Sequence, residues 1–125
     1  MYRYTLNNEH KMNSGEIVLL LQATIESAYE LLVRIKSPNN TLILLDEIEP
    51  LLNRLLDSVA NDSHLLGVVL YYAFKFHEFQ AIAYDRINDK RLQEIALIKA
   101  VEIWEQMKRL NHFGTGNGVL DPYRE

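Results

Sequence analysis

Ile17, Leu21, Thr24, Ala28, Leu31 and Ile35 stand at alternating steps of four and three. That spacing returns side chains to one face of an α-helix but scatters them over both faces of a strand. The same rhythm recurs in Leu42, Leu45, Ile48, Leu52, Leu55 and Val59, and again in Leu92, Ala96, Ala100, Ile103, Met107 and Leu110. A segment between these two, from Leu65 to about Tyr84, is apolar on two stripes rather than one: Leu65, Val69, Tyr72, Phe76, Phe79 and Ala83, and Leu70, Phe74, His77, Ala81 and Tyr84. Lys75, Glu78 and Gln80 remain as a narrow polar strip. Four helices of roughly 20 residues that must each bury a seam predict an all-α, antiparallel, up-and-down four-helix bundle. The 125 residues make one domain. It divides into an irregular N-terminal segment 1–12, a bundle over 13–111 and a flexible tail 112–125.

The boundaries carry chemical signals. Asn13 stands three residues before Glu16, a cap followed by an acid where the helix dipole favours one. Ser37-Pro38-Asn39-Asn40 ends the first helix, and Thr41 is the expected cap of the second. Pro50 falls inside the second pattern, where it removes a backbone hydrogen bond, so a kink or a restart is predicted there. Asn61-Asp62-Ser63 and Asp89 are the turn and cap signals for the third and fourth helices. Glu30 with Arg34, and Glu105 with Arg109, are spaced for exposed i,i+4 ion pairs. Gly114-Thr115-Gly116-Asn117-Gly118 and Pro122 close the sequence with turn formers.

The net charge of −4 argues against a non-specific nucleic-acid binder, which needs a basic stripe to displace counterions. Between Thr41 and Asp62 there are five acids and one base, which accounts for the whole imbalance. A solvated helix face is the plain reading; a surface for a basic partner, built on Asp46, Glu47, Glu49 and Asp57, is the sharper one. No apolar run has the length of a bilayer span or the form of a secretory leader, so no membrane contact and a cytoplasmic location are expected. There is no cysteine, which excludes a thiolate nucleophile and every cysteine-ligated metal centre. His10, His64, His77 and His112 lack a second ligand at i+3 or i+4, so neither a carboxylate-bridged di-metal bundle nor an HExxH zinc site is written here. His77 reads as a hydrogen-bonded core histidine, and Glu26 with Glu30 as a solvated helix exterior. The glycine-rich tail lacks the Lys-Ser/Thr of a phosphate loop. No cofactor, no metal and no enzymatic activity are expected.

Some short motifs point further. Asn13-Ser14-Gly15-Glu16-Ile17 before a Leu-rich helix resembles the Ser-Pro-Gly-Glu-Leu opening of the flagellin-specific export chaperones of the FliS family. Leu70-Tyr71-Tyr72 is similar to that family's Leu-Tyr-x-Tyr, Gln80-Ala81 follows at the family's distance, and Trp104-Glu105 stands where the family has a Trp near the end of its last long helix. The resemblance covers residues 13 to 107. This sequence departs from the pattern in Ser14, which replaces the family's Pro, in Tyr72, one place early, and in Gln22, where an aromatic is usual. The resemblance implies a cytoplasmic helical bundle of bacterial flagellar export. It would hold the disordered C-terminal segment of flagellin as short helices in apolar grooves and so prevent premature polymerisation. It also implies an N-terminal plug of the empty groove, for which Tyr2, Tyr4 and Leu6 are the candidates, with Met12 beside them.

Helix-in-groove recognition needs apolar anchors and no cofactor. The expected contacts are Ile17, Leu20, Leu21, Leu70, Phe74, His77 and Tyr84. The competing reading is a small acidic inhibitor of the immunity type, steered electrostatically onto a basic site of a toxin or nuclease. An accessory subunit of a larger assembly, or a homodimer through the third helix, stays open.

Overall fold

The computed structural model describes residues 13–113. They form α1 (Ser14–Tyr29), one π-helical turn (Glu30–Arg34), α2 (Pro38–Ser58), α3 (Ser63–Arg86) and α4 (Lys90–Phe113), an all-α four-helix bundle. Tyr2, Tyr4, Leu6, Met12 and the glycine-rich tail lie outside the described residues.

Each helix start is written locally. Asn13 and Glu16 form a reciprocal capping box: the Glu16 N–H donates to Asn13 Oδ1 (2.8 Å) and the Asn13 N–H to Glu16 Oε1 (2.9 Å). Asp62 accepts from the Leu65 N–H and Asp89 from the Leu92 N–H, both at 3.1 Å. The second helix departs from the expected start. It begins at Pro38, whose missing N–H costs nothing in a first turn. Thr41 therefore sits inside the helix, fully buried, with its hydroxyl donating to the Ser37 carbonyl (2.9 Å). Pro50 does not break α2, which runs through it to Ser58 with the proline on the exposed side.

The six-residue seam of α2 is buried at every position. That of α1 holds through Ala28 and then slips: Leu32 is buried at 1%, whereas Leu31 is only half-buried and Ile35 is 63% exposed. The π turn inserts the extra residue that causes the slip, with the Ile35 N–H donating to the Glu30 carbonyl and the Ser37 N–H to that of Leu31. Lys36, with φ 64°, reverses the chain between them and α2. The Leu32 carbonyl, left over by this pattern, accepts from Arg86 Nη1 at the end of α3 (2.8 Å).

α3 is the centre of the molecule. α1, α2 and α3 pack on one another, and α4 lies along α3 in the most extensive helix pair. The partners give the directions. Tyr29 meets Phe79 (6.4 Å between rings) and Leu32 meets Arg86, so α1 and α3 run parallel. Phe74 meets Trp104 (5.9 Å) at one end and Asp85 meets Lys90 at the other, so α3 and α4 run antiparallel. Both expected stripes of α3 are core: Val69, Phe76, Phe79 and Ala83 on one, Leu70, Phe74, His77 and Ala81 on the other. Gln80 belongs to this interior too and not to the polar strip, because His77 holds it there. Glu30 and Arg34 pair as expected (3.3 Å), while Glu105 reaches Lys108 (3.5 Å) rather than Arg109.

Candidate functional site

α3 leaves one strip uncovered between α1 and α4. Lys75 and Glu78 bridge across it at 3.0 Å and form a low ridge with an apolar groove on either side. The groove toward α4 encloses about 350 Å³. Phe74, Ala81 and Ala100 lie along its floor, Ile82, Leu97, Val101 and Trp104 along its walls, and Glu78, Asp85 and Gln93 supply polar edges. The small side chains of the two alanines leave room above this floor. Ile82 (36%), Leu97 (46%) and Val101 (56%) are exposed here, well beyond what a helix flank needs. The groove toward α1 is wider, about 790 Å³, with Ala23, Ile25, Tyr29 and Phe79 as its apolar lining and Glu26, Glu30 and Lys75 at its edges. Lys75 Nζ also lies 5.8 Å from the centre of the Phe79 ring.

Behind α3, toward α2, the interior holds a polar cluster. His77 Nδ1 lies 2.8 Å from Gln80 Oε1 with both side chains buried, so Nδ1 carries the proton. Burial pushes the His77 pKa below its ordinary value, against the raising effect of the Gln80 bond and of Glu49. Tyr84 is raised by burial and by the carboxylates of Asp46, Asp89 and Glu49. Asp46 is raised as well, by burial first and then by Glu49. Lys99 of α4 offsets part of this negative charge, 4.0 Å from Glu49. Among the described residues no group of His, Asp and Glu is placed to hold a metal ion.

The expected contact residues divide sharply. Ile17, Leu21, Leu70, Phe74 and His77 are all under 9% exposed and form the core itself. Phe74 lines the α3–α4 groove from within the core, so a substitution such as Phe74→Asp tests the fold before it tests any partner. Leu20 and Tyr84 are half-buried. Of the acidic set, Asp46, Glu49 and Asp57 share one flank of α2, with Asp46 and Glu49 turned toward the Tyr84 and His77 cluster, whereas Glu47 stands on the far side. The groove residues Leu97, Val101 and Trp104 were legible only as neighbours of the α4 seam; their excess over the single face that α4 buries is the signal that marks them.

Compared with known protein families, curated proteins and solved structures, the chain matches none. Among the described residues no helix is long and apolar enough to cross a membrane.

Proposed function

We propose that this chain is a binding protein that holds a short apolar, helix-forming segment of another protein, with the α3–α4 groove as its principal seat. The observation that carries this reading is the groove itself: exposed Ile82, Leu97 and Val101 over a floor of Phe74, Ala81 and Ala100. From Phe74 to Asp85 it extends about 16 Å at 1.5 Å per residue, three turns of a helix. A bound helix that presents anchors at i, i+3/i+4 and i+7 spans about 10 Å and fits within that length.

The sharper form of the proposal is a chaperone of the flagellin export type, with the flagellin C-terminal segment as client. Its support is the motif resemblance together with the second groove across the Lys75–Glu78 ridge, since two parallel grooves suit a client that wraps as more than one short helix. The acidic-inhibitor reading has less behind it, because Glu49 is already faced by Lys99 within the molecule at 4.0 Å.

Titration calorimetry of the full chain with the C-terminal segment of flagellin tests the proposal. Saturable binding with a negative heat-capacity change and little dependence on salt is expected, as for buried apolar area. The double variant Leu97→Asp/Val101→Asp, at two exposed positions, is expected to weaken it at least about tenfold, or ~1.4 kcal/mol, with helical circular dichroism unchanged. Absence of binding refutes the flagellin client. Binding that the double variant leaves intact refutes the groove.

A further inference from the structure

α4 carries a second seam on its flank, beside the face that packs on α3 and along the rim of the α3–α4 groove. Glu94, Leu97, Val101, Trp104 and Lys108 follow one another at steps of three, four, three and four, the spacing along which two helices interlock. Leu97, Val101 and the adjacent Ile98 (52% exposed) make a shallow apolar depression of about 250 Å³ between Glu94 and Glu102. The two ends of the seam are oppositely charged and symmetrically placed. Glu94 lies seven residues before Val101 and Lys108 seven residues after it, each about 10 Å away along the axis, and both are exposed.

This symmetry selects an occupant. A second α4 packed antiparallel about a two-fold axis at Val101 brings Glu94 of each copy opposite Lys108 of the other, Leu97 opposite Glu105, Ile98 opposite Trp104, and Val101 against itself. Lys108, which lies 3.5 Å from Glu105 of its own helix, then stands between two carboxylates. A parallel pair sets Glu94 against Glu94 and Lys108 against Lys108, which repel. The geometry points to a second copy of this chain: we propose that α4 is an isologous self-association surface, antiparallel and centred on Val101. One helix pair buries less than the roughly 1,200 Å² of a standard interface, which places the dimer among weak, transient contacts. The surface shares Leu97, Val101 and Trp104 with the α3–α4 groove, so self-association and groove binding exclude each other, although neither depends on the other being real.

Sedimentation velocity of the full chain over a range of concentrations tests it. A monomer–dimer equilibrium is expected that Val101→Lys abolishes. Glu94→Lys or Lys108→Glu alone, each of which creates like-charge pairs at both ends, is expected to weaken the dimer about threefold to tenfold at low salt. The double variant Glu94→Lys/Lys108→Glu restores opposite charges and with them the association. A chain that stays monomeric up to about 1 mM overturns the proposal. So does a dimer that is indifferent to the single charge changes, or one that the double change fails to restore.

Discussion

His77 and Gln80 show how a polar pair survives in an apolar interior. Each satisfies the other at 2.8 Å, and burial holds the imidazole neutral. Because its folded pKa lies below the ordinary 6.5, the native state binds fewer protons there than the unfolded chain. The stability this confers is fully present above about pH 6.5 and drains away as pH falls through and below that value. The thermal midpoint should therefore drop between pH 7 and 5.5, a window in which most carboxylates stay ionised, and His77→Gln should flatten that drop. A wild-type midpoint flat across the window contradicts the account. Arg86 makes a second residue-scale case, since its guanidinium donates to the Leu32 carbonyl in the π turn. Arg86→Met keeps the stem and removes the donor, and should lower the stability by about 1 kcal/mol in urea unfolding, modest because Arg86 is exposed. An unchanged urea midpoint means that water serves Leu32 equally well.

Among the elements, α2 tolerates a proline that propensity alone rejects. Seven buried positions fasten the helix on both sides of Pro50, and that burial outweighs a local cost of about 3 kcal/mol. Pro50→Ala should accordingly raise the unfolding free energy by about 1–3 kcal/mol, read by urea denaturation, through the regained hydrogen bond to the Asp46 carbonyl. The same competition explains which parts of the fold could be read in advance. The seams of α2 and α4 and the caps at Asn13, Asp62 and Asp89 follow from local spacing and short-range hydrogen bonds, and they stand as read. The π turn was not legible, because nothing in Glu-Leu-Leu-Val-Arg distinguishes it from an α-helical turn. Its Leu32 carbonyl meets Arg86, 54 residues away, a contact that local sequence does not reveal. That the expected contact residues Leu70, Phe74 and His77 are core has a related reason. Two apolar stripes on α3 fit either a free face or a central helix, and only its packing with α1, α2 and α4 shows that both are interior. Uncovered apolar surface then lies partly on the flank of α4, at Leu97, Ile98 and Val101, and partly on other elements, at Leu19, Ile35 and Ile43.

At the scale of the whole molecule, a bundle centred on one helix has consequences that a square bundle lacks. With α1 and α4 on either side of α3, the strip between them stays open, and the Lys75–Glu78 bridge divides it into two grooves. The acidic flank of α2 and the apolar grooves lie on different sides of α3, so a partner attracted by charge and a partner held by apolar burial leave different footprints. The central claim is that the α3–α4 groove, rather than the α2 flank, takes the partner. Mapping backbone amide shifts of the full chain while the flagellin C-terminal segment is titrated in separates the two. The account predicts perturbations concentrated at Ile82, Leu97, Val101 and Trp104, lost in Leu97→Asp/Val101→Asp; perturbations centred on Asp46, Glu49 and Asp57, and abolished by salt, contradict it.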